Sequence, residues 1–247
     1  MANTKAKKVI TAVQVVLLIL VLAGAGWLVY KAVTYNQAQQ PYRDIQVAYA
    51  NDSSNGSLTC PVDLNELCKN NPAVVGWIQM DDVDISYPIV KGSDNEHYLH
   101  YDVNDNPSID GAIFLDYRNK SIEDDLHVLI YGHNMLDESM FGQLDSYLDK
   151  SFFDNGKKTF TIFTPEKALR YEIFSVTVLD PTDDTYQVGF TNAKVFDAFV
   201  KDLQGHSNFE TNVDVTGKDH VVTLSTCSAS DRLVVSAKRV SEQPWTA

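Results

Sequence analysis

Cys227 ends the run VVTLSTC, and Arg232 opens the run RLVV that follows it. A thiol attacks as its thiolate, and a neighbouring cation favours that form. Arginine stays charged at any relevant pH. Strand residues alternate between faces. Val222, Leu224 and Thr226 therefore share one face, and Val221, Thr223, Ser225 and Cys227 share the other. The second face is small and hydroxylic toward its end. The segment SASD (228–231) reads as a hairpin loop,. In that hairpin Cys227 and Arg232 are cross-strand partners, with Cβ atoms roughly 5 Å apart. The guanidinium can also donate hydrogen bonds to a substrate carbonyl or an oxyanion. The bland alternative is a buried structural thiol, the usual state of a free cysteine.

A cysteine nucleophile that cleaves an amide needs a group to protonate the departing amine, and histidine is the usual one. The chain has His97, His100, His127, His133, His206 and His220. His133 ends an apolar run in LIYGHNM, after a glycine expected to let the backbone turn, and functional side chains concentrate at such strand ends,. His127 lies early in the same run and reads as packing or surface. The others sit in polar segments or near loops.

The elements that must position these residues read mostly as strands. The β-rich runs are 74–80, 83–90, 112–117, 126–132, 159–164, 169–179, 221–227 and 232–240, separated by Asp, Asn, Gly and Pro,. Eight strands with turn signals between them predict a closed barrel or sandwich. A short helix is expected over 63–69 with Asp63 as N-cap and Glu66 three residues on. A helix over 140–149 places Met140, Phe141, Leu144 and Leu148 on one face. A helix over 191–204 places Val195, Phe196, Phe199, Val200 and Leu203 on one face, capped by Thr191 or Asn192.

The chain's ends differ in character. Val9 to Tyr30 carries no charge, and about 20 apolar residues cross a hydrocarbon core,. Lys5, Lys7 and Lys8 precede it, which predicts a cytoplasmic N-terminus and an extracellular body,. A cleaved signal peptide ending at Ala23-Gly24-Ala25 is the rival, but the apolar run continues through Trp27 to Tyr30,. The expected organisation is a cytoplasmic end (1–8), a transmembrane signal anchor (9–30), a part-helical stalk (31–62) and a catalytic domain (63–247). The net charge is -13, which disfavours nucleic-acid binding, since that affinity rests on clustered Lys and Arg. Cys60 and Cys68 are near enough in sequence to pair, leaving Cys227 as the odd thiol,. There is no CxxC, so no structural zinc site is expected,.

TLSTC with the arginine of DRLVV, and YGHNM, resemble the signature of sortases, membrane-anchored cysteine transpeptidases of Gram-positive bacteria. The resemblance runs from about Asp63 to Val240 and takes in NPAVVGWIQM, ISYPIV, EHYLHYD, GAIFLDYRN and MFGQL. The TLSTC form, the helical N-terminal lead and the helix at 191–204 resemble class B. The spacing from Cys227 to Arg232 is shorter than in many class B members.

The resemblance implies an eight-stranded sortase β-barrel with N-terminal helices and a helix between the late strands. It implies Cys227 as nucleophile, His133 as general acid and base, and Arg232 as stabiliser of substrate and oxyanion. Asn95, Leu99, Thr182, Tyr186 and Ser225 match positions lining the class B sorting-signal groove. No cofactor and no metal are implied. The implied partners are surface-protein precursors bearing a sorting signal, of the Asn-Pro-x-Thr or Leu-Pro-x-Thr-Gly type, and an amine of the peptidoglycan precursor. A pilin polymerase, with a pilin lysine as acceptor, shares every one of these features. A plain cysteine protease is the outcome if water outcompetes amines. A reading of another class, a membrane-tethered binding module without chemistry, is disfavoured by the intact Cys, His and Arg.

Overall fold

The computed structural model describes residues 2–50, 59–180, 184–227 and 231–244. The chain divides into two units, Met1–Ala38 and Gln39–Ala247. The first is one helix, α1 (Ala2–Ala38), whose apolar side chains from Val9 to Tyr30 stand exposed. It is long and apolar enough to cross a membrane, and a signal sequence meets the same description.

The second unit is built on eight strands: β1 (Val74–Met80), β2 (Ser86–Lys91), β3 (Ile113–Leu115), β4 (His127–His133), β5 (Thr159–Phe163), β6 (Lys167–Leu179), β7 (Val221–Cys227) and β8 (Arg232–Pro244). They close into a barrel in the order β1-β2-β3-β4-β7-β8-β6-β5. All eight expected runs form strands, because β-branched and aromatic residues alternate between punctuating Asp, Asn, Gly and Pro. Two neighbour pairs, β2 with β3 and β4 with β7, are parallel; the others are antiparallel. A parallel pair needs a long crossover. The one between β4 and β7 carries β5, β6 and the helix α5 (Ala193–Gly205), and it brings the C-terminal ends of β4 and β7 to one rim. Trp77, Phe114, Phe160, Phe163 and Tyr171 fill the core.

Helix α5 packs Phe196, Val200 and Leu203 onto Phe174 and Val221 in a second cluster. Asn192 caps it, accepting from the Lys194 and Val195 N–H groups at 2.9 and 3.4 Å. A shorter helix, α3 (Leu64–Asn70), starts at Asp63, which accepts from the Glu66 N–H at 3.0 Å.

Two expectations need correction. The helix expected over 140–149 is a 3-10 turn, Gly142–Leu148, followed by α4 (Lys150–Asn155) capped by Asp149. A 3-10 helix repeats every three residues, so Phe141, Leu144 and Tyr147 are buried while Leu148 is exposed. The segment read as a stalk contributes α2 (Gln40–Ala48) to the second unit: Tyr42 and Ile45 are buried, and the Tyr42 hydroxyl donates to the Gly111 carbonyl at 2.5 Å. Cys60 and Cys68, whose pairing the sequence left open, are both free thiols. Burial pushes Cys60 up to about 12 and Cys68 up to about 11, which favours the thiol over the thiolate in both,.

Candidate active site

His133 is the last residue of β4 and Cys227 the last of β7, and the parallel register pairs the two directly. The alignment is continuous from His127↔Val221 onward, so seven paired positions fix it. Across the other edge, β7 and β8 pair from Val221↔Lys238 to Ser225↔Val234. The paired register ends at Ser225↔Val234, two residues short of the Cys227–Arg232 pairing that the hairpin reading expects. Thr226 holds the strands together there, its Oγ1 accepting from the Leu233 N–H at 2.9 Å. The loop tip, 228–230, and Thr182 lie outside the described residues.

His133 is half-buried, and its Nε2 lies 2.7 Å from the Leu99 carbonyl. A carbonyl only accepts, so Nε2 carries the proton and Nδ1 is the nitrogen left for proton exchange. Leu99 thus acts here through its backbone, while its side chain packs on the core.

Gly132, before His133, does not turn the chain; it lies within β4. Its role is close packing: a Cβ there would meet the Phe141 ring at 2.8 Å. Gly132→Ala forces that buried ring or the strand end to shift. The expected cost is about 1–3 kcal/mol, read as a lowered urea midpoint, together with a loss of activity from displacement of His133.

Arg232 pairs with Leu179 of β6, and its guanidinium carbon sits 5.6 Å from the centre of the Tyr186 ring. Its buried Nε has no hydrogen-bond partner among the described residues. The Tyr186 hydroxyl and Ser225 Oγ lie 3.0 Å apart, and the Tyr186 ring stacks on Tyr131 at 6.2 Å between centroids. Asn95 is turned toward Asp116, to which its Nδ2 donates at 2.9 Å. Tyr186, Ser225 and Arg232 therefore meet directly, and Asn95 joins them through Asp116, Arg118 and Tyr131. The last three escaped the sequence reading. The signal available was the pair of charges in FLDYRN at the exit of a buried strand.

His127 is a packing residue. It is fully buried, with Nδ1 2.6 Å from the Gln187 carbonyl and Nε2 2.9 Å from Thr223 Oγ1. Burial pushes it down to about 4. Asp110 moves the other way: burial lifts its carboxyl to about 6, and Gln39 and His133 pull it back in part. Below 6.5 the unfolded chain binds the His127 proton before the folded protein does, so that residue costs stability as pH falls from 6.5 to about 4,. Asp110 contributes stability that is present in acid and lost as pH rises from 3.8 to about 6,. The two oppose each other over nearly the same window. Asp110→Asn leaves His127 unopposed. Its urea midpoint is expected to fall more steeply than the parent's between pH 6.5 and 4, by the equivalent of about 3 kcal/mol.

The pattern of the sortase domain family matches residues 78–240 of this chain. Sortase B of Listeria monocytogenes is 33% identical over 229 residues, covering 88% of this chain and 92% of that one. The chain belongs to the sortase family. Its relatives are of class B: Staphylococcus aureus sortase B is 28% identical, covering 94% of this chain and 97% of that one. The barrel superposes on sortase B from Bacillus anthracis in complex with AAEK1 with a TM-score of 0.75, at 32% identity, covering 84% of this chain and 98% of that one. The Staphylococcus aureus sortase B–substrate complex also gives 0.75, at 28% identity, covering 85% of this chain and 100% of that one. This sortase is thus a cysteine transpeptidase by family, on an eight-stranded barrel with N-terminal helices and a helix between the late strands.

Proposed function

We propose that this sortase cleaves a C-terminal sorting signal after its threonine and transfers the surface protein to an amine of the peptidoglycan precursor. The observation that carries the reading is the register pairing of His133 with Cys227, with Leu99 fixing the imidazole tautomer.

The Cys227 thiolate adds to the threonine carbonyl, and the oxyanion draws hydrogen bonds from Arg232 and nearby backbone N–H groups. His133, as imidazolium, gives its Nδ1 proton to the amine as the C–N bond breaks, leaving a thioester on Cys227. The acceptor amine then adds to that thioester. His133 takes its proton, the new amide forms, and the thiolate departs. Asn95, Leu99, Thr182, Tyr186 and Ser225 line the peptide's path. No step calls for a metal.

In this reading α1 is an uncleaved anchor with its lysine-flanked end in the cytoplasm and the barrel outside. Tethering holds the enzyme at the surface where a membrane-held precursor and a lipid-linked acceptor are both concentrated.

The test is intact-mass spectrometry of the full chain in detergent. It would be incubated with Asn-Pro-x-Thr and Leu-Pro-x-Thr-Gly peptides, with and without a small amine. An acyl adduct that is absent from Cys227→Ala and converts to amide product is expected with one peptide. No adduct and no cleavage with either peptide would overturn the proposal.

A further inference from the structure

Asp116 follows β3 and is completely buried. Its Oδ1 accepts from the Arg118 N–H and Nε, each at 2.9 Å. Its Oδ2 accepts from Arg118 Nη2 at 2.7 Å, from Asn95 Nδ2 at 2.9 Å and from the Tyr131 hydroxyl at 2.9 Å. Burial alone would raise this carboxyl, but the donors outweigh it and hold it below the usual carboxylate range. Asp116 is therefore a carboxylate at working pH, and a carboxylate only accepts.

That fact sets the Asn95 amide. Its NH2 must face Asp116, and its oxygen then accepts from the Tyr117 N–H at 3.0 Å. Among the described residues one N–H and one lone pair of this amide have no partner, which leaves them, in a fixed sense, for another. On the other side, Arg118 Nη2 also donates to the Tyr186 carbonyl at 3.0 Å. Tyr186 in turn underlies Arg232 and faces Ser225.

We infer that Asp116 is a positioning residue for the peptide groove: it fixes the donor–acceptor sense of Asn95 and, through Arg118, the seat of Tyr186 beneath Arg232. The inference rests on the proposed function above, which makes Asn95, Tyr186 and Arg232 the groove. Asp116 does not touch the reacting atoms. Its contribution is to substrate binding, so its loss falls on KM more than on kcat.

The experiment compares the full chain with Asp116→Asn, an isosteric change that adds a donor where only an acceptor fits. The expected result is a rise of about tenfold or more in KM for the sorting peptide, with a smaller fall in kcat. The rate at which iodoacetamide alkylates Cys227 should not change. In an Asn95→Ala background the same substitution should raise KM by clearly less, because part of its effect passes through Asn95. Arg118→Gln should raise KM in the same direction and serves if Asp116→Asn does not fold.

An unchanged KM in a folded Asp116→Asn chain would overturn the inference, as would full additivity with Asn95→Ala. Unchanged KM in Arg118→Gln, where Asp116→Asn is unfolded, does the same. These results leave the proposed function standing as long as the parent chain forms its adduct. A parent chain with no adduct overturns the function and this inference with it.

Discussion

Replacing His133 with alanine is expected to lower kcat/KM for an amide sorting peptide by about 10²–10⁴-fold, the range for losing a positioned general acid. The argument starts from Leu99. Its carbonyl accepts a hydrogen bond from the Nε2–H, so the ring presents Nδ1 in one orientation at the end of β4. The register then sets that ring beside the Cys227 position. An amine is a poor leaving group unless protonated, whereas a thiol or phenol leaves readily. The loss in His133→Ala should therefore be much smaller for a thioester or aryl ester carrying the same sorting residues. Stopped-flow measurement of acylation with both substrates separates the cases. Equal loss on both would assign His133 a role in folding the rim or in charging the thiol, not in protonating the leaving group.

The eight strands were legible because strand signals are local, while barrel or sandwich stayed open until the resemblance. Alternation and turn residues mark each run, and all eight expected runs form strands. The pairing of His133 with Cys227 was not local. It depends on a parallel contact between β4 and β7, which are separated by the whole β5–β6–α5 crossover. The strand-end position of His133 made it the candidate partner, and the resemblance singled it out, but neither showed the contact between strands. The β7–β8 hairpin was local, a strand, a short loop and a strand in unbroken sequence,.

What the sequence concealed was the purpose of polar residues that are buried. Asp116 looked like one more acidic residue in an acidic chain, yet it organises Asn95, Arg118 and Tyr131. Gln39 looked like part of a polar stalk, yet its Nε2 donates to Asp110 at 2.6 Å and its Oε1 accepts from the Tyr87 hydroxyl at 3.1 Å. Composition cannot separate a solvated carboxylate from one held by several donors. Gly132 carried a signal that was read for the wrong reason, because a glycine in a strand marks close approach as readily as a turn.

Replacing Arg232 with methionine is expected to cut kcat by about 10²–10³-fold, the usual loss when one donor to a developing oxyanion is removed. Arg232→Lys should recover little of it, since an ammonium lacks the planar fork and does not stack on Tyr186 in the same way. The stability change should run the other way. The buried Nε has no partner among the described residues, and an unmet buried donor costs about 1–3 kcal/mol,. Methionine removes that donor and keeps an apolar chain of similar length, while the guanidinium over the Tyr186 ring is lost. The melting temperature of Arg232→Met should therefore hold or rise while catalysis collapses. Loss of both together would mean that the guanidinium supports the β6–β8 ladder and not the substrate. A rise in melting temperature with lost kcat is what a donor held open for a ligand produces, because the folded protein carries a cost that only the bound acyl group relieves. Adding the sorting peptide to Cys227→Ala, where no chemistry follows, should stabilise the arginine form more than its methionine counterpart. That difference in ligand-induced melting shift measures the interaction without turnover.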